Sequence, residues 1–215
     1  MISEEYKEFD IEKLLKFGYD KTRENFKFLL GILAAVIIIE ITRILIYFQY
    51  SDNIIILIII TAFSFILQNL YMMGLIKISL KIVNGEKPQF EDLFSHLHLF
   101  LGYLFASFVY GLMVIIGTAL FIAPGIIIGT KFSLYHFFII DREMETIEAL
   151  KASSEATKDM KLWLFSYYLI IIMLIFAGVV FLFVGLLAAI PISLLATSKI
   201  YKLLSQRVKP SLLSS

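Results

Sequence analysis

The sequence predicts an all-α integral membrane protein, a bundle of six transmembrane helices with amphipathic helices along its cytoplasmic side. Three observations carry that prediction. Of the 215 residues, 60% are hydrophobic and 17% charged, with a mean hydropathy of +0.87, where soluble domains run at about half apolar and about a quarter charged. The apolar residues fall in stretches long enough to cross a bilayer, because a helix rising about 1.5 Å per residue needs about 20 residues to span a ~30 Å core. Finally, 17 of the 19 Lys and Arg residues lie in four alternate segments, residues 7–27, 77–87, 142–161 and 199–209, while the turns at 51–53, 123–125 and 178–191 carry none. Basic residues are retained on the cytoplasmic side, so the alternation gives an even number of crossings of the cytoplasmic membrane, with both termini inside.

Each element follows from local pattern. Residues 1–27 form a cytoplasmic tail: Ile11, Leu14, Leu15 and Gly18 recur at helical spacing among acidic and basic neighbours, which suits a helix along the interface, a plain solvated tail being the alternative. Gly18 is placed to end that helix and Asp20 to cap a second one running into the first span. The predicted spans are 28–48, 54–79, 99–121, 124–140, 162–184 and 186–204, followed by a second cytoplasmic tail at 205–215. Phe90, Leu93, Phe94 and Leu97 recur at i, i+3, i+4, i+7 after an Asn-Gly-Glu-Lys-Pro turn and predict an interfacial helix leading into span three. Residues 141–161 predict a helix beneath the bundle. The last four spans form two pairs, of 42 and 43 residues, each with a Gly-to-Pro outer turn, Gly117 to Pro124 and Gly185 to Pro191, where proline suits the first turn of the returning helix. Two readings of this likeness stay open, a parallel repeat and the ordinary similarity of apolar hairpins.

Composition also excludes chemistry. A net charge of +1 and a pI near 7.8 argue against a nucleic-acid partner, which requires a basic face. There are no cysteines, hence neither disulfides nor thiolate catalysis. The N-terminus lacks the pattern of a removable signal peptide, so the first span is expected to serve as the insertion signal. His96 and His98 are two residues apart and diverge on a helix, whereas a helical metal pair needs a spacing of three or four; His136 belongs to another segment near the inner surface. No nucleophile with a base and no phosphate-binding loop is present, so neither an enzymatic activity nor a cofactor is expected.

Charged residues in a bilayer core cost at least ~2.5 kcal/mol each, which makes Glu40, Arg43 and Lys131 the candidate intramembrane polar site. Glu40 has two possible partners: Arg43, three residues on along one helix, or Lys131, which the span boundaries place at nearly the same depth. Gln68 and Asn69 in span two are expected to be hydrogen-bond partners between helices.

Around span four, Pro124-Gly125-Ile126, Lys131-Phe132-Ser133-Leu134, Asp141 and Glu148-Ala149-Leu150-Lys151-Ala152-Ser153, followed by Thr157-Lys158 and Trp163, resemble the multi-pass family that includes the YciC-like proteins and the membrane domain fused to some glycerophosphoryl diester phosphodiesterases. The resemblance runs from about Leu75 onward and includes the basic tail entering span one. It implies six helices and no assigned activity, phosphodiesterase chemistry belonging to a separate domain absent from this sequence. It also makes Pro124, Gly125, Ser133, Asp141, Glu148 and Ser153 candidate structural positions, with Ser133 and Asp141 expected to join span four to the inner helix. The expectation is a non-enzymatic membrane protein with an accessory or structural role in the bacterial envelope, the alternative being a small transporter or a lipid- or peptide-binding component. Its expected partner is the lipid bilayer, with a homo-oligomer or another membrane protein left open.

Overall fold

The computed structural model describes residues 9–180 and 185–208, and it is helical throughout, with no strand among the described residues. The chain runs through α1 (Ile11–Glu24), α2 (Phe26–Gln49), α3 (Ile54–Val83), two short 3₁₀ turns (Phe90–Leu93 and Leu97–Leu99), α4 (Phe100–Leu120), α5 (Ile122–Lys131), α6 (Tyr135–Arg142), α7 (Thr146–Ala156), α8 (Lys161–Val180) and α9 (Leu186–Ser205). Among the described residues, six segments are long and apolar enough to cross a membrane: α2, α3, Phe90–Leu120, Ile122–Arg142, α8 and α9. Residues 1–8, the expected end of span five at 181–184 and the tail from Lys209 lie outside the described residues.

The structure departs from the local expectations at four places. Gly18 does not end a helix: α1 is continuous, capped by Asp10, whose carboxylate accepts the Glu12 amide at 3.0 Å, while Asp20 sits exposed in mid-helix. Gly18 instead provides a close approach, since a Cβ there would come within 2.5 Å of the Ile192 carbonyl oxygen on α9. The segment after Pro88 forms 3₁₀ turns, not an α-helix, because it folds down onto Gly74 of α3, where a Cβ would meet Leu93 at 2.6 Å. Pro124 does fall in the first turn of α5, but Pro191 is the sixth residue of α9 and lies inside that helix. Span four is two helices rather than one, with a break at residues 132–134.

Burial concentrates around α6. Tyr135, Phe137, Phe138, Ile139 and Ile140 keep 3% or less of their surface exposed. They pack among Met73 and Ile76 of α3, Tyr103 and Ala106 of α4, Ala149 of α7, Leu164 of α8 and Tyr201 of α9. The unbroken apolar run Phe137–Ile140 places α6 at the centre of the bundle. Contacts at one end of this core gather basic segments far apart in sequence. Arg207 stacks 4.6 Å from the Phe9 ring, the Trp163 indole donates to the Phe9 carbonyl at 2.9 Å, and Lys202 meets Asp141 beside Arg142.

The opposite ends of α2 and α3 are left largely uncovered by the described residues. Ile38, Leu45, Phe48, Ile55, Ile58 and Phe63 are each more than 60% exposed, whereas burial in α2 is confined to Leu29, Ile32 and Leu33. So much contiguous apolar surface is the surface of a chain solvated by lipid.

Candidate functional site

The break in span four is where the backbone leaves the helical pattern, and it can be accounted for group by group. The amides of Ser133 and Tyr135 reach back only three residues, to Thr130 at 3.4 Å and Phe132 at 3.2 Å. The Leu134 N–H and the Lys131 carbonyl thereby lose their helical partners, which inside a membrane must be replaced. Helix α7 replaces them. The Leu134 amide donates to Ser153 Oγ at 3.1 Å, and Ser153 Oγ donates to the Lys131 carbonyl at 3.2 Å. The Thr157 hydroxyl lies 2.8 Å from the same carbonyl and 2.9 Å from the Ser153 carbonyl, sharing its proton between them. Ser153 and Thr157 are fully buried. What fixes α7 there is the reversal after α6, where Glu143 adopts a left-handed conformation with φ 53°.

The break opens space beside it. A groove of about 380 Å³ runs between α4, α5 and α8, and a cavity of about 260 Å³ lies toward α3 and α9; Ser133, His136 and Tyr168 line both. Apart from them the walls are mainly Ile, Leu and Phe. The hydroxyls nearby are committed: Tyr110 donates to the Gly129 carbonyl at 3.0 Å, Thr130 to the Ile126 carbonyl at 2.9 Å and Ser133 to the Thr130 carbonyl at 3.0 Å. His136 differs. Its Nδ1 is closed off with no hydrogen-bond partner, and its ring is clasped by Tyr135 and Tyr103 at centroid distances of 4.1 and 6.2 Å. An orphaned N–H is worse tolerated than an orphaned acceptor, which assigns the proton of the neutral imidazole to Nε2. With Nδ1 sealed, Nε2 is the ring's remaining polar atom, on a residue that lines both largely apolar cavities. It can hold one neutral acceptor oxygen, such as a carbonyl, at the end of a hydrocarbon chain.

Among the residues singled out from sequence, Glu40 and Arg43 come together. Arg43 donates from Nε and Nη2 to Glu40 Oε2 at 2.7 and 2.6 Å, and the Tyr71 hydroxyl donates to Oε1 at 3.0 Å. Lys131 is not brought to them; it ends α5 at the break, with its ammonium 4.9 Å from the centroid of the Phe132 ring. Gly125 is buried against α4, where a Cβ would lie 2.9 Å from Thr118 Cα, and Pro124 precedes it in the same turn. Asp141 turns to α9 and not to α7, accepting from the Tyr201 hydroxyl and from the Lys202 ammonium, both at 2.8 Å. Glu148 sits on α7 one turn before the buried Ala152 and Ser153. His96 accepts or donates at 2.7 Å with Ser95 and stacks on His98 at 5.9 Å. Among the described residues no three His, Asp or Glu side chains gather as a metal site.

Sequence reasoning missed His136. The available signal was an imidazole inside an apolar run directly after the polar stretch Thr130-Lys131-Phe132-Ser133, with Tyr110 and Tyr168 in other spans to close the chamber. No family model, curated protein or solved structure matches the chain.

Proposed function

We propose that this is a non-enzymatic, multi-pass protein of the cytoplasmic membrane, with both termini inside, that holds a single lipid at the break in its fourth span. The observation that carries this reading is the half-buried His136 ring, its Nδ1 sealed and without a partner, on the wall shared by two largely apolar cavities beside an interrupted crossing. Interrupted helices line the ligand sites of many membrane proteins, because irregular backbone at membrane depth is tolerated only where protein or a cavity satisfies it. The exposed flanks of the groove, Ile126, Leu169 and Ile172, open it sideways toward acyl chains. The lipid group it suits is a neutral acceptor, which the ester carbonyl joining acyl chain to glycerol in a glycerolipid provides. Such a protein acts by binding, in an accessory role in the envelope, and kinship with the YciC-like family is part of the same proposal.

Native mass spectrometry of protein extracted in mild detergent tests it. The wild type should retain one lipid adduct. His136→Phe keeps the ring volume but removes the N–H, so it should leave the melting temperature close to that of the wild type and lower lipid occupancy by roughly tenfold, the worth of one hydrogen bond of ~1.4 kcal/mol. Equal retention by the variant, or a wild type that carries no lipid, would refute the site. Turnover of glycerophospholipids or of their head-group diesters by the purified protein would refute the non-enzymatic reading.

A further inference from the structure

The distal arm made by residues 36–68 of α2 and α3 holds a polar cleft in which Gln68 is completed by no described residue. Gln68 is exposed and makes no hydrogen bond to any described residue, whereas its neighbour Asn69 is buried and donates to the Phe65 carbonyl of its own helix at 2.8 Å. Gln68, Glu40, Arg43, Thr61, Ser64 and Tyr71 line one cleft of about 360 Å³ between the two helices. The Glu40 and Arg43 side chains remain 31% and 42% exposed although they pair with each other. Lipid tails cannot donate to or accept from these groups, and a carboxamide left bare in hydrocarbon is strongly disfavoured.

We propose that a second copy of this chain docks on the arm, α2–α3 against α2–α3 across a two-fold axis along the bilayer normal. The occupant follows from the chemistry of the cleft, which is its own complement. A carboxamide carries both a donor and an acceptor, so two Gln68 side chains related by the axis bond reciprocally. The acid and the base lie three residues apart on α2, so rotation brings each Arg43 toward the Glu40 of the other copy as well as its own. A partner of different sequence would need to supply this combination separately. The uncovered apolar residues beside the cleft, Ile38, Ile59 and Phe63, then pack as the margin of the same contact.

The absence of cysteine makes the test direct. Single-cysteine variants Thr61→Cys and Ser64→Cys, oxidised in native membranes, should give a cross-linked species at about twice the 24.7 kDa chain mass, and Ile172→Cys on exposed α8 should not. Gln68→Leu, which adds no cysteine and suits lipid, should shift the intact protein in nanodiscs from dimer to monomer, with dissociation at least tenfold easier. A monomeric wild type in nanodiscs, a cross-linked product of any other mass, or equal cross-linking at Ile172→Cys would overturn the proposal.

Discussion

Ser153→Ala combined with Thr157→Val should be the most damaging pair of small substitutions in the protein. Two hydroxyls disappear, and with them the partners of the Leu134 amide and the Lys131 carbonyl, both enclosed at the break. Each orphaned buried group costs about 1–3 kcal/mol, and water cannot enter to replace the lost bonds as it would at a surface. A loss of about 2–6 kcal/mol is expected, seen as a large drop in melting temperature in detergent and as proteolysis between α6 and α7. Ser153→Thr, which keeps the hydroxyl, should lose less than Ser153→Ala despite the added methyl, if the fully buried site can shift by a few tenths of an ångström. A double variant as stable as the wild type would mean that the break is not held by α7.

The second large effect is expected at Asp141, which ties α6 to α9 through Tyr201 and Lys202. Asp141 and Lys202 are only 15% and 25% exposed, so removing the carboxylate strands an ammonium in a poorly solvated site. Breaking such a pair costs about 3–5 kcal/mol, whereas replacing both members is often close to neutral. Asp141→Leu alone should therefore destabilise strongly in a chemical or thermal unfolding series, and Asp141→Leu with Lys202→Met should recover most of that loss. Additive losses would show that the two side chains act separately.

The helices long enough to cross a membrane were legible in sequence because their signal is one-dimensional. Apolar length marks which segments can cross, so the helices from Phe26 to Gln49 and from Leu186 to Ser205 lie within two residues of the expected spans. Close approaches were not legible. Gly18 reads as a helix stop from its neighbours alone, and only the Ile192 backbone beside it makes glycine a packing requirement within a continuous helix. The break in span four was hidden for a similar reason. Thr130 to Leu134 is compatible with a continuous helix, and what favours the interruption is a pair of hydroxyls some 20 residues away on α7. The same limit applied to Glu40, for which spacing offered Arg43 and depth offered Lys131; rigid one-turn geometry joins the first pair, while the structure holds Lys131 at the break.

Cysteine labelling in intact cells tests the six-crossing arrangement most directly. Positions 52, 87 and 158 are all exposed in the structure and lie in three different turns, and the chain has no cysteine of its own. With an impermeant maleimide, Asp52→Cys should label in intact cells, while Lys87→Cys and Lys158→Cys should label only after the membrane is opened. Labelling of Lys87→Cys or Lys158→Cys in intact cells would contradict the arrangement, and with it the sidedness on which the lipid site is proposed.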